Sequence, residues 1–308
     1  MRKAILLLIV TFLWGGVEQT LPYPDGDNKN ADDIAKQIHF VNHQLYLKNQ
    51  ILKKKKRDTI LIVRRAPGKK PYVLQAERYL NNDYTDGITK SKDMVIFVSG
   101  KMKGTGVLVT EYLDDERSLE MLLWLPALRK VRRMAEPSKN MGYSEADVAF
   151  MEESKLRRIS DDNYVLMGTK SMTFNPGMMK LEKKDKNRLT KFLPTEAEPV
   201  QADIYLLKAT PKENAWYDYR IDYVDRQHFT VYRTNYYKDD KAVKTIDRHW
   251  IKVEGIDDPR AYMWTYWYAI DPETKFETVN YIPAKIIESN QEIRASFWSP
   301  RTLQKLKK

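Results

Sequence analysis

The chain has four histidines, His39, His43, His228 and His249, and no cysteine. His39 and His43 stand four apart, one helical turn, a spacing that lets two imidazoles reach one metal ion. No third ligand lies near them in the sequence, so they read as packed or surface histidines and no metal is assigned. His228 and His249 fall on separate expected strands. The acidic pairs Asp114/Asp115, Asp161/Asp162, Asp239/Asp240 and Asp257/Asp258 all fall in expected turns, where aspartate bonds its own backbone. Gly100, Gly104 and Gly106 resemble a phosphate loop only superficially, because the GK[ST] ending is missing and a strand follows them. The nucleophile elbow, the HExxH zinc helix and the dinucleotide fingerprint are missing too. Lack of cysteine excludes disulfides, thiolate metal sites, a thiol nucleophile and a lipidated N-terminal cysteine. The sequence therefore assigns no catalytic residue and no cofactor, and the chain is expected not to be an enzyme.

The remaining chemistry is that of greasy strands. Residues 104–134 read as a hairpin with a third extended piece: Gly104 to Tyr112, a polar turn at Asp114–Arg117, Leu119 to Leu125, then Leu128 to Met134. Glu120 is the one charge on the second strand. Leu119, Met121, Leu123 and Leu125 alternate against it, yet Leu122 and Trp124 make its own face apolar as well. A sheet wetted on one side alternates more cleanly, so something must cover both faces, either more protein or a hydrophobic guest. The strand YMWTYWYAI repeats the pattern: Tyr262, Trp264, Tyr266 and Tyr268 on one face, Met263, Thr265, Trp267 and Ala269 on the other. Tyr and Trp suit the wall of a hydrophobic cavity, since the ring contacts hydrocarbon while the polar edge finds a hydrogen bond. The candidate cavity residues are Leu119, Met121, Leu123, Trp264, Tyr266 and Tyr268.

Further elements follow from period and punctuation. Arg2 and Lys3 precede an apolar run of roughly 11 residues, the pattern of a secretory signal peptide over residues 1–20 with an uncertain cleavage site. The run is too short to span a bilayer, which takes about 20 residues. Asp32 or Asp33 is expected to cap a helix running to about Lys56, ended by Lys53–Arg57. From Thr59 the period changes to that of an antiparallel meander. Ser144 and Asp147 form a capping-box pattern ahead of a helix. The lysine-rich stretch Leu181–Lys191 and the Pro/Glu loop after it read as an insertion. Aromatic strands fill the second half, and residues 21–308 are expected to form one domain.

The run WLPALRKVRRM behind the GTGVLV strand is similar to the signature of LolA-like proteins, the outer-membrane lipoprotein-sorting family. Four later stretches fit it: Met141-Gly142-Tyr143, the segment RIDYVDRQHFTVYRTNYYKDDKAVKTI, and the closing IPAKIIESNQ and FWSPRTLQKL. After Tyr143 the sequence departs from the family pattern. The resemblance covers about residues 60–305. It implies a mainly β (α+β) fold, a strongly curved antiparallel sheet or incomplete barrel with helices across its open side. It also implies a periplasmic carrier of a lipid or of lipoprotein acyl chains, with an RND- or MMPL-type transporter as partner. A net charge of +11 suits peripheral contact with anionic lipid. Arg220, Tyr223, Arg226, Phe229, Tyr232 and Arg233 interleave as in nucleic-acid sheets, but an exported protein meets little nucleic acid, and none is assigned as partner. Two other functions stay open: a non-carrying interaction module docked on an exporter or envelope assembly, and an envelope lipid or glycan enzyme.

Overall fold

The computed structural model describes residues 21–24, 29–114, 116–134, 157–213 and 215–305. The expected signal peptide and the capping-box helix after Ser144 lie outside these residues. Helix α1 is Ala31–Asn42. Strands β1 to β7 are Asn49–Leu52, Ile60–Arg65, Tyr72–Asn81, Thr89–Phe97, Gly106–Tyr112, Glu120–Leu125 and Lys130–Met134. Strands β8 to β15 are Asp162–Phe174, Val200–Pro211, Tyr219–Asp225, Val231–Lys238, Lys241–Lys252, Tyr262–Ile270, Glu277–Tyr281 and Ile287–Ser289. Helix α2, Pro300–Lys305, follows.

The N-terminal helix is shorter than the sequence suggests, and its cap is Asn30, whose side chain accepts from Asp33 N at 2.9 Å. It stops at Asn42 because Gln44 takes a left-handed φ of 52°. Residues Asn49–Leu52, expected inside the helix, instead form β1, which pairs with both β3 and β15. The apolar spacing that suggested a longer helix comes from a buried strand following a buried helix.

All strand pairs are antiparallel, in one unclosed sheet of order β7-β6-β5-β4-β3-β2-β14-β13-β12-β11-β10-β9-β8, with β1 and β15 beside β3. Its curvature follows from α1. Ile34 and Ala35 pack on Tyr205 and Leu207 of β9, with Tyr164 and Leu166 of β8 alongside. More than two turns on, His43 Nδ1 lies 3.3 Å from Glu111 of β5. Ten strand spacings separate β5 from β8 in the order, about 48 Å were the sheet flat. A helix of 12 residues is only about 18 Å long. The sheet must curl around α1, which gives it an inner face toward the helix and a convex outer face.

Register then assigns the faces. Met121 and Leu123 oppose Val109 and Val107, two and four residues from Glu111, so all five are on the inner face. Leu122 and Trp124 are on the outer face. There Trp124, Leu108, Ile96 and Met94 pack under Trp298 and Leu303 of the C-terminal segment. The Trp298 indole N–H donates to Tyr79 O at 2.8 Å. A second outer patch of Leu61, Val63, Tyr266, Tyr268 and Val279 is covered by Met179 and Leu193, with Met178, Leu181 and Leu189 beside them. The doubly apolar strands are thus explained in large part by protein, since two chain segments roof the outer face.

The C-terminal roof fits closely. A Cβ on Gly106 would sit 2.6 Å from Leu303 Cδ1. Gly106→Ala is expected to cost about 1–3 kcal/mol by overpacking, read as a lower denaturant midpoint at unchanged slope. Gly106→Ala/Leu303→Ala should show favourable coupling between the two changes.

Candidate functional site

The interior beneath α1 holds a cavity of about 90 Å³. Ala35, Ile38 and His39 of the helix and His43 at its C-cap form its roof. Its floor brings together Arg220 and Asp222 of β10, Arg248 of β12, Trp264 of β13 and Tyr164 of β8, with Arg157 and Arg158 at the rim. Strand alternation positions this floor. Arg220 and Asp222 share the inner face of β10 with Val224, and Asp222 faces Thr234 across the ladder.

The floor is a buried charge network. Arg220 Nη1 lies 2.9 Å from Asp162 Oδ2, and its Nε lies 3.1 Å from Asp222 Oδ2. Thr234 Oγ1 donates to Asp222 at 2.7 Å and accepts from Arg248 Nη1 at 3.0 Å. Arg157 Nη1 adds a second cation 3.5 Å from Asp162. Burial opposes the charge on Arg220, but Asp162 and Asp222 outweigh it and hold the guanidinium protonated. Burial pushes the Tyr164 hydroxyl up to about 12, so it stays neutral.

The second polar feature fastens α1 to the far arm. His39 and His43 stack with ring centroids 3.8 Å apart. Lys90 Nζ lies 3.2 Å from His39 Nε2 and 3.2 Å from Glu111 Oε1. Glu111 also accepts from Ser91 Oγ at 3.0 Å. Burial would raise the Glu111 carboxyl, yet His43, Lys90 and His39 hold it far below the usual carboxylate range. The ligand atoms of His39, His43 and Glu111 lie within 4.8 Å of one another, so the third ligand that the sequence does not reveal is supplied by β5. Lys90 already places a cation against those atoms, and the cluster reads as an ionic clasp.

The six expected cavity residues separate. Leu119 and Met121 are buried and Leu123 half-buried on the arm beyond the clasp, with Met121 and Leu123 on the inner face. Trp264 lines the cavity floor. Tyr266 and Tyr268 are on the outer face, where Tyr266 Oη accepts from Met179 N at 3.1 Å and Tyr268 Oη donates to Glu277 at 2.5 Å. The split arises at a bulge: His249 opposes Tyr266 but Trp250 opposes Trp264, so Thr265 is an extra residue and the alternation reverses. Lys90, Glu111, Asp222 and Arg248 escape sequence reasoning, and Arg220 enters it only through the basic and aromatic interleaving; Glu111, the one charge of its strand, was the available signal.

Three solved structures share the architecture. A DUF1329 family protein from Desulfovibrio piger aligns with a TM-score of 0.62 at 18% identity, covering 88% of this chain and 97% of its own. A domain from Vibrio parahaemolyticus described as an outer membrane lipoprotein-sorting protein aligns at 0.60 and 13% identity, over 89% and 98%. A LolA superfamily protein from Nitrosomonas europaea gives 0.52 at 11% identity, over 89% and 100%. At such identities the likeness establishes the fold, which is LolA-like. No curated protein matches the chain. A family model described as an uncharacterized protein matches residues 89–305, well over half of the sequence, and the chain belongs to that family.

Proposed function

We propose that the protein is a periplasmic carrier that shelters a lipid, or the acyl chains of a lipoprotein, between the curled sheet and α1. The observation that carries this reading is the asymmetric seating of α1. On the β8–β11 arm its contacts are apolar, among them Ile34, Val41, Tyr205, Leu207 and Val231. On the β4–β5 arm it is held by the His39–Lys90 and His43–Glu111 contacts, next to the half-buried aliphatic residues Val107, Val109 and Leu123. A polar clasp over an apolar surface can release without leaving a hydrophobic seam behind, and a ligand favours the released arrangement by its differential affinity for it. Each CH₂ sheltered contributes about 0.8 kcal/mol.

The space beneath α1, about 90 Å³ and partly open to solvent, is far below the roughly 300 Å³ of a small-molecule pocket. Loading therefore requires α1 to lift from β4 and β5. Among the described residues no helix is long and apolar enough to cross a membrane, which suits a carrier that leaves one bilayer for another. The sequence resemblance adds an RND- or MMPL-type transporter as the membrane partner.

Organic extraction and native mass spectrometry of the purified full chain test the reading. A lipid retained near one per chain, displaced by a fluorescent acyl probe, is the expected result. The small volume of the cavity favours the competing reading, a docking module that carries nothing. A protein that yields no lipid and takes up no probe would establish that alternative.

A further inference from the structure

We propose that the strap formed by residues 180–192 is a docking surface for anionic lipid bilayers. The proposal concerns the outer face, not the interior, and stands apart from the carrier reading. The stretch that reads as an insertion in the sequence is a fixed part of the fold. Met179, Leu181, Leu189 and Leu193 turn inward onto Leu61, Val63, Tyr266, Tyr268 and Val279. Gly177 N donates to Asp247 Oδ2 at 2.7 Å, and a Cβ at Gly177 would sit 2.7 Å from the Tyr268 ring. Asn187 Oδ1 accepts from Leu189 N at 2.8 Å and Thr190 N at 3.1 Å.

What the strap turns outward is cationic. Lys180, Lys183, Lys184, Lys186, Arg188 and Lys191 are exposed, against two carboxylates in the strap, Glu182 and Asp185. Lys184 pairs with Glu182 at 2.9 Å with both side chains mostly in water, and the strap keeps a clear excess of cations over carboxylates. Phe192 is 45% exposed, with Lys191 Nζ 5.0 Å from its ring centroid. Arg65 donates to Lys180 O at 2.8 Å, and the turn after Arg65 adds exposed Lys69 and Lys70 to the same rim.

An aromatic ring among lysines suits the headgroup boundary. The ring enters the interface while the lysine stems lie along it and the ammonium groups meet lipid phosphates. Shape favours a bilayer over a nucleic-acid strand. Single-strand binders use a groove with several stacking rings, whereas this strap offers one ring on the convex side of the sheet. Because the strap is already ordered, binding loses little conformational entropy.

Sedimentation of the full chain with vesicles of phosphatidylcholine, with and without phosphatidylglycerol, tests the proposal. The expected result is binding that needs phosphatidylglycerol and fades as salt is raised. The triple change Lys183→Glu, Lys184→Glu and Lys186→Glu should lower partitioning by two orders of magnitude or more, on the order of fivefold per cation removed. Phe192→Ser should weaken binding at every salt concentration. All four side chains are exposed, so an unchanged denaturant midpoint verifies the fold. Reversing Lys53, Lys54 and Lys56, which precede β2 where Arg65 ends it, should leave partitioning within a few-fold of the parent. Equal sedimentation with neutral vesicles, a triple variant that binds like the parent, or an equal loss from the Lys53/Lys54/Lys56 variant overturns the proposal. So does single-stranded nucleic acid competing the protein off vesicles at lower concentration than phosphatidylglycerol.

Discussion

Glu111→Gln is expected to cost about 3–5 kcal/mol of stability, because it leaves Lys90 buried against two imidazoles without its carboxylate. The Lys90 and Glu111 side chains are 4% and 11% exposed, so water replaces little of the lost interaction. The same carboxylate gives the parent protein an acid sensitivity of known sign. Burial opposes its ionisation, but His43, Lys90 and His39 hold its folded-state pKa far below the ordinary 4.5. A depressed folded value means that its stabilisation is present above about pH 4.5 and is lost as pH falls below it. Urea midpoints measured from pH 7 down to pH 3 should therefore decline more steeply in the parent than in Glu111→Gln. Parallel curves, or a variant as stable as the parent at pH 7, would mean that the clasp contributes nothing.

Arg220→Met should be comparably damaging, about 3–5 kcal/mol, since it strands Asp162 and Asp222 at 2% and 8% side-chain exposure. Arg157, 3.5 Å from Asp162, shields one of the two and leaves Asp222 the worse placed. Adding Asp222→Asn to Arg220→Met should then recover about 1–3 kcal/mol, a coupling within the range for contacting residues. If the double variant is no more stable than Arg220→Met, the guanidinium acts by filling volume, and the ionic account of the cavity floor fails.

The strands were largely legible in the sequence because period two and turn residues are local signals: Tyr262–Ile270 is a strand in both the reading and the structure. Strand β8 was hidden. Val165 and Met167 are apolar yet exposed at the sheet edge, so the segment shows no clean alternation. The inserted Thr265 was hidden too, and one residue was enough to send Trp264 inward and Tyr266 outward. Of the clasp only the His39/His43 spacing could be read, since Lys90 lies 51 positions from His39 and meets it through the curl of the whole sheet. Apolar residues on both strand faces were visible, but whether the cover was a guest or the chain itself depended on where residues 178–193 and the C-terminal segment come to rest.

The order of the strands has a consequence for how the molecule is made. Strands β2 to β7 and β8 to β14 each join sequence neighbours, while the ladder between β2 and β14 ties residues 61–65 to residues 277–281. Each half can zip from its own hairpins at modest loop-closure entropy, and the join between them must wait for a contact of very long sequence separation. During synthesis the first half therefore stands with the Ile60–Arg65 edge bare until residues 277–281 emerge. A nascent chain halted before Glu277 presents two raw sheet margins, each a template for pairing with another copy of itself.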